Sequence, residues 1–179
     1  DGALQLICGS ARGIIEKVTS QDVVTFTGSA HTGRMLKSDP RIIEESVPFN
    51  MEADSLNCSV LGIDVTPDLP EFDLFIKEVQ REMTVKAGQK CTAIRRILVP
   101  EHLVEDVQIA LGKRLAKTTI GDPNTEGVRM GSLAGLDQRE EVREKVAQLA
   151  KSQEIVFGDI DNFDVMGADK NKGAFMSPI

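Results

Sequence analysis

The apolar residues follow a helical spacing in the central and C-terminal parts of this chain. Between 70 and 87 they recur every three or four residues, as on one face of a helix, at Phe72, Phe75, Ile76, Val79 and Met83. The same spacing predicts helices over 101–117 and, with many more charges, over 137–151. Pro70 at the start of the first helix and Gly88 after its end are typical helix boundaries.

Short runs of apolar and β-branched residues predict strands between these helical segments. The predicted strands cover 4–9, 22–28, 46–52, 58–62, 92–100 and 154–158, and short helices are predicted over 11–18 and 30–37. Because strands alternate with helices, the pattern predicts an α/β fold of parallel sheets with flanking helices. Ligands in such folds bind at the carboxyl ends of the strands, and Gly28 and Ser29 follow one of those ends.

The turn after the second predicted strand reads Phe-Thr-Gly-Ser-Ala-His-Thr-Gly over 26–33. It has neither the glycine spacing of a dinucleotide fingerprint nor the lysine of a P-loop. Two interpretations stay open. Ser29 is either the N-cap of an ordinary helix, or part of a phosphate-binding turn with free backbone N–H groups and no side chain at Gly28. We expect His31 to be an exposed residue of the first helical turn.

Cys91 is the candidate nucleophile, because it follows the predicted helix end at Gly88 in a short loop. We expect the neighbouring Lys90 to help stabilise a thiolate there. The alternative is that Cys91 is a small buried apolar residue. Cys8 and Cys58 lie in predicted strands, so we expect both to be buried and structural.

The order of the 26–33 turn, Glu52 and Cys91 resembles the core of the aldehyde dehydrogenase superfamily. That core has Phe-Thr-Gly-Ser, then a glutamate, then Gly-Gln-x-Cys. The sequence segments around Glu52 (49–58) and around Cys91 (87–96) are similar to those of dehydrogenases that oxidise CoA-linked semialdehydes in phenylacetate breakdown, including the dehydrogenase part of bifunctional enzymes. Semialdehyde dehydrogenases of the aerobic benzoyl-CoA pathway resemble these segments about as well, so membership of that group remains an alternative.

The resemblance implies roles for the residues that match. Cys91 would be the nucleophile and Glu52 the general base, while the phosphates of NADP or NAD would bind near Gly28, Ser29, Thr32 and Gly33. The substrate would be a small CoA-linked aldehyde. This sequence departs from most relatives after Glu52, where Ala53-Asp54-Ser55 replaces Leu-Gly-Gly.

The resemblance also implies a domain organisation. Residues 1–52 would be the later part of a cofactor-binding domain, and 53–179 would be a truncated catalytic domain. A second oxyanion donor and residues that bind the cofactor riboses would lie outside the chain. We therefore expect part of a longer, homo-oligomeric enzyme that is inactive as this piece alone. The alternative is a non-catalytic fragment that folds and associates.

Composition limits the other function classes. The net charge is −7 with both signs interspersed, which argues against nucleic acid as a partner. We expect no membrane association, because no apolar run approaches the length of a span. Three scattered cysteines and two histidines indicate no metal site and favour a reducing, cytoplasmic setting. Arg95 and Arg96 could bind the phosphates of CoA, or could simply be salt-bridged surface residues.

Overall fold

The computed structural model describes residues 2–9, 11 and 13–179. The chain divides into two compact units, Asp1–Asp54 and Ser55–Ile179. The assignment of a cofactor-binding domain to 1–52 and a catalytic domain to 53–179 stays a prediction. Both units contain parallel strands with neighbouring helices, which confirms the predicted α/β class.

The first unit contains a two-stranded parallel sheet and two helices. Strand β1 (Val24–Gly28) pairs with β2 (Phe49–Ala53), and Gly28 lies opposite Ala53. Helix α1 (Ala30–Lys37) has the predicted bounds, and α2 (Pro40–Glu44) follows with proline at its start. The sheet therefore brings both carboxyl ends to one edge, next to the N-terminus of α1.

Helix α1 packs closely on this sheet because of Gly33. Gly33 is buried, and a Cβ atom there would overlap the Met51 side chain and press on the Phe26 ring. A glycine at this position therefore has a packing role, whatever its role towards a cofactor.

The second unit is built on a parallel strand pair and two long helices. Strand β3 (Cys58–Val60) pairs with β4 (Arg96–Leu98), and α3 (Pro70–Thr84) and α4 (Val104–Leu115) pack together. The apolar stripe predicted for α3 does face the core, which is formed by Leu61, Phe72, Ile76, Leu103 and Val107. Burial of each such side chain contributes about 1.5–3 kcal/mol to folding.

The remainder of the second unit contains helix α5 (Leu136–Leu149) and long irregular segments. Two further apolar clusters, centred on Phe175 and on Met176, tie the C-terminal segment to the loop around Ala87. The segment before that is ordered by polar contacts: the backbone N–H groups of Asn162 and Asp161 hold the pKa of Asp159 below its ordinary value. No helix in the described part of the chain is long and apolar enough to cross a membrane.

Two predicted strands are wrong, and several predicted elements are shorter than expected. Residues 4–9 and 154–158, all of them described, form no strand, and Leu4 is 95% exposed. An apolar run becomes a strand only where a partner satisfies its backbone hydrogen bonds, and neither run has a pairing in the structure. The predicted helix 11–18 includes Arg12, outside the described residues, and its described part has one 3-10 turn, Ile15–Lys17. The strand predicted over 92–100 is limited to β4.

Candidate active site

Glu52 lies in β2, one residue before the carboxyl end of the strand. Its side chain is exposed, and its partner across the sheet is Thr27. Side chains alternate along a strand, so Glu52 lies on the face opposite Met51, which packs under α1. Glu52 is therefore at the carboxyl-end edge of the sheet, on the face away from helix α1.

The N-terminus of α1 is capped by side chains of the same unit. Ser29 Oγ accepts a hydrogen bond from Thr32 N at 3.1 Å and donates to Thr32 Oγ1 at 3.0 Å. Asp54 Oδ1 accepts from Ala30 N at 3.1 Å, and Asp54 itself has a positive φ of 57°. Ser29 is thus the N-cap, as one of the two interpretations of the sequence predicted. The hydrogen bond from Ala30 N to Asp54 was not predicted from the sequence.

The Asp54 contact bears on cofactor binding. Its carboxylate lies at the positive end of the α1 dipole, where the resemblance places the cofactor phosphates. The remaining features of the turn fit a dinucleotide: small residues, a serine hydroxyl and the carboxyl ends of two parallel strands. Phosphate oxygens would compete with Asp54 for the Ala30 N–H group.

Cys91 belongs to the second unit and lies in an irregular loop between α3 and β4. Helix α3 ends at Thr84, and the chain then reverses through three consecutive residues with positive φ: 54° at Lys86, 51° at Ala87 and 72° at Gly88. Gly88 occupies this conformation easily, whereas it is strained for the other two. Ala87 packs against both C-terminal apolar clusters, which helps to hold the reversal in place.

The Cys91 side chain is exposed, so the alternative that it is a buried apolar residue is wrong. The prediction that Lys90 stabilises a thiolate at Cys91 is not supported by its contacts. Lys90 Nζ forms a salt bridge with Glu82 Oε1 at 2.7 Å, and both side chains are mostly buried, at 19% and 15% exposure. Lys90 therefore ties the loop to α3, and its charge is already paired.

Side chains of three polar residues hold the carbonyl oxygens of the Cys91 loop. Asn57 Nδ2 donates to Cys91 O at 2.7 Å and to Ala93 O at 3.1 Å, and Ser55 Oγ donates to Cys91 O at 2.8 Å. From within the loop, Arg95 donates to Lys90 O at 2.7 Å and to Gly88 O at 3.2 Å. Sequence reasoning did not find these contacts, because an isolated serine or asparagine in a polar stretch carries no recognisable pattern.

The other candidate residues are placed as follows. Cys8 and Cys58 are both exposed, so the prediction that they are buried is wrong, although Cys58 does begin β3. His31 is exposed in the first turn of α1, as predicted. Arg95 binds loop carbonyls and Arg96 is exposed on β4. Within the described residues, no three histidine, cysteine or acidic side chains come together as a metal site would require.

The fold is that of a solved aldehyde dehydrogenase. The betaine aldehyde dehydrogenase of Staphylococcus aureus, solved in complex with NAD+, superposes on 88% of this chain with a TM-score of 0.75 at 23% identity; the match covers 29% of that enzyme. The sequence profile described as "Aldehyde dehydrogenase family" matches residues 1–179. The chain belongs to the aldehyde dehydrogenase family.

Curated relatives point to semialdehyde dehydrogenases. The chain is 45% identical to the 3,4-dehydroadipyl-CoA semialdehyde dehydrogenase of Aromatoleum evansii over 99% of its length. It is 24% identical to the 3-succinoylsemialdehyde-pyridine dehydrogenase of a Pseudomonas species over 91%. In both comparisons the chain spans about a third of the relative, 34% of its length.

Proposed function

We propose that the protein oxidises the aldehyde group of a CoA-linked semialdehyde to the acid, with NAD+ or NADP+ as the oxidant. The 45% identity to a CoA-semialdehyde dehydrogenase over 99% of the chain carries this proposal. The exposed Cys91 on a tethered loop and the exposed Glu52 at a strand end support it. A role in the breakdown of aromatic compounds rests on the sequence resemblance.

Cys91 supplies the nucleophile in the proposed reaction. Its thiolate sulfur bonds to the aldehyde carbon, and the electron pair of the carbonyl moves to oxygen, where the backbone N–H of Cys91 would stabilise the charge. When bound, the nicotinamide cofactor would accept a hydride from that carbon, which leaves a thioester on Cys91. Cys91 is exposed among the described residues, which supports access of an aldehyde substrate to its sulfur.

Glu52 is proposed to act on the second half of the reaction. Its carboxylate accepts a proton from water while the water oxygen bonds to the thioester carbon. The carbon–sulfur bond then breaks, which releases the acid and regenerates the Cys91 thiolate. Glu52→Gln should therefore allow one hydride transfer per enzyme and then slow hydrolysis of the thioester, because glutamine cannot accept the proton from water.

Residues at the N-terminus of α1 are proposed to hold the cofactor phosphates. Gly28 and Gly33 let the turn pack closely on Phe26 and Met51, so that the backbone at the start of α1 is not covered by bulky side chains of the turn. Ser29 and Thr32 supply hydroxyl groups, which bond to each other in this structure and would have to exchange that contact for phosphate oxygens. Gly28 ends β1 and Ser29 follows it, and Thr32 and Gly33 lie in the first turns of α1. Either cofactor, NAD+ or NADP+, fits this arrangement, since a pyrophosphate is common to both.

The test is a turnover assay of the full-length protein. Reduction of NAD+ and of NADP+ is followed with 3,4-dehydroadipyl-CoA semialdehyde, and with hexanal as an aldehyde that lacks CoA. We expect the CoA-linked aldehyde to be preferred, Cys91→Ser to abolish turnover, and the matched Cys58→Ser to retain it. Preference for hexanal would identify an aldehyde dehydrogenase of another substrate class. No turnover of either aldehyde, or full activity of Cys91→Ser, would overturn the proposal.

A further inference from the structure

We propose that Ser55, Asn57 and Arg95 are positioning residues, which fix the peptide groups on both sides of Cys91 and thereby aim its sulfur at the substrate. This inference rests on the proposed role of Cys91 as the nucleophile. It concerns side chains outside the predicted catalytic set. The two that act from outside the loop, Ser55 and Asn57, precede Cys91 by 36 and 34 residues.

The peptide group after Cys91 is held from outside the loop. Its carbonyl oxygen accepts two hydrogen bonds, from Ser55 Oγ at 2.8 Å and from Asn57 Nδ2 at 2.7 Å. Asn57 Nδ2 also donates to Ser55 Oγ at 2.8 Å and to Ala93 O at 3.1 Å. The amide of Asn57 is thus shared among three acceptors, and both lone pairs of the Cys91 carbonyl have donors.

The peptide group before Cys91 is held from within the loop. Its carbonyl oxygen, Lys90 O, accepts a charge-assisted hydrogen bond from Arg95 Nη2 at 2.7 Å, while Arg95 Nη1 reaches Gly88 O at 3.2 Å. The backbone N–H groups of Arg95 and Arg96 in turn donate to Asn57 O, at 2.8 and 3.2 Å. Arg95 is therefore anchored to the residue that holds the other peptide group.

These contacts determine where the sulfur lies. The direction of the Cα–Cβ bond follows from the positions of the backbone N and C atoms, so two fixed peptide groups leave only the rotation about Cα–Cβ free. A misplacement of about 1 Å at a reacting atom can cost a hundredfold in rate. The guanidinium on Lys90 O has a second effect: a hydrogen bond to a carbonyl polarises its peptide group, which makes the Cys91 N–H a stronger donor.

Ordinary folding demands do not explain this arrangement. Ser55 is half-buried and Asn57 and Cys91 are exposed, so water could satisfy the Cys91 carbonyl oxygen at little cost in stability, whereas Ala93 is buried and its carbonyl depends more on Asn57. Directed donors on an accessible loop give positional accuracy, which water cannot supply. If Ser55 and Asn57 position Cys91, removing their donor groups should lower kcat more than it lowers the stability of the protein.

The experiment compares five variants of the full-length protein with the wild type in the turnover assay. Ser55→Ala removes one donor to Cys91 O, and Asn57→Asp replaces the donating amide by an oxygen that faces two carbonyls. Ser55→Thr restores the hydroxyl and is the rescue variant. Ser59→Ala, in the adjoining strand β3, is the matched control, and Cys91→Ser tests the nucleophile itself. Thermal unfolding of every variant is measured in parallel.

We expect Ser55→Ala to lower kcat about tenfold, with KM and the unfolding temperature little changed. Asn57→Asp should lower kcat about a hundredfold and also lower the unfolding temperature, because its new oxygen faces the carbonyl of the buried Ala93. Ser55→Thr should recover most of the loss and Ser59→Ala should match the wild type. Unchanged kcat in Ser55→Ala and Asn57→Asp, with Cys91→Ser inactive, would overturn the positioning role and leave the proposed function standing. Full activity in Cys91→Ser would overturn both. If Asn57→Asp does not fold, Ser55→Ala with its rescue decides the question.

Discussion

The three cysteines have different backbone settings but the same accessibility. Cys58 begins a strand, Cys91 lies in an irregular loop, Cys8 lies outside any element, and all three are exposed. Burial therefore does not single out Cys91, and Lys90 is paired with Glu82 rather than free to act on the thiol. The distinction between Cys91 and the other two lies in the hydrogen bonds of its loop.

We predict that all three thiols are modified in the folded 179-residue chain. A titration with an aromatic disulfide reagent, followed by peptide mapping, should give three modified cysteines without denaturant. The denatured chain provides the control stoichiometry. Protection of Cys58 in the native chain would contradict the exposure seen in the structure.

Asp54 is predicted to weaken cofactor binding. Its carboxylate accepts a hydrogen bond from Ala30 N and places negative charge where the phosphates are proposed to bind. Asn at this position tolerates the positive φ and keeps an acceptor oxygen without the charge. In the full-length protein, Asp54→Asn should tighten NAD+ and NADP+ binding about fivefold, equivalent to about 1 kcal/mol at a helix terminus.

Isothermal titration of wild type and variant measures this difference. Asp39→Asn is the matched control, because Asp39 caps α2 in the same unit by accepting from Arg41 N. Its replacement should leave the dissociation constants unchanged. Equal or weaker cofactor binding by Asp54→Asn would show that phosphates do not meet this carboxylate.

At the scale of elements, the reversal after α3 stores backbone strain. Lys86 is exposed and has a φ of 54°, a conformation that costs a non-glycine residue about 1–2 kcal/mol. Lys86→Gly should therefore raise the free energy of unfolding by about 1 kcal/mol. Lys77→Gly, at an exposed position inside α3, should lower it by about 1 kcal/mol because glycine is a poor helix former.

Chemical denaturation of the 179-residue chain and the two variants tests this pair. The opposite signs are the essential result, since the two changes remove the same side chain. Destabilisation of similar size by both would mean that Lys86 is not held in the left-handed region.

Helix α1 is predicted to depend on Gly33 for its packing. A methyl group at Gly33 would overlap Met51 on β2, so Gly33→Ala should destabilise the chain by about 1–3 kcal/mol. Gly112→Ala, inside α4, is the control, because a Cβ there would meet the Phe157 ring at 3.4 Å, an ordinary van der Waals distance. Addition of Met51→Ala should recover part of the loss, which denaturation of the double variant would measure. Simple additivity of the two changes would argue against a shared contact.

At the scale of the whole molecule, one face of the second sheet carries two exposed apolar side chains. Val60 and Leu98 lie opposite each other in the register of β3 and β4, and they are 64% and 54% exposed. Parallel sheets are usually covered on both faces. The isolated 179-residue chain should therefore self-associate as its concentration rises.

Sedimentation velocity over a range of concentrations tests this prediction. Val60→Thr combined with Leu98→Thr should shift the distribution towards monomer, since threonine retains β propensity without the apolar surface. Leu74→Gln, at an exposed apolar position on α3, is the control and should leave association unchanged. Association that survives the double substitution would locate the contact elsewhere.

Local patterns were sufficient for several elements. The amphipathic spacing of α3, the bounds of α1 and the cap at Ser29 were predictable because each depends on residues within one or two helical turns. The ordered turn, glutamate and cysteine were likewise sufficient to indicate the family, since the family pattern is a property of the sequence.

Tertiary structure decided whether apolar runs became strands and what surrounds Cys91. Residues 4–9 and 154–158 have the composition of strands but no pairing partner, a condition that lies outside any local window. The donors at Cys91 O come from 34 and 36 residues away, and Lys90 is bound by Glu82 on the preceding helix. Hydrogen-bond partners at such separations are selected by packing of the whole unit. The sequence by itself therefore determined the family and predicted Cys91 as the nucleophile, and only the fold determined how the Cys91 loop is held.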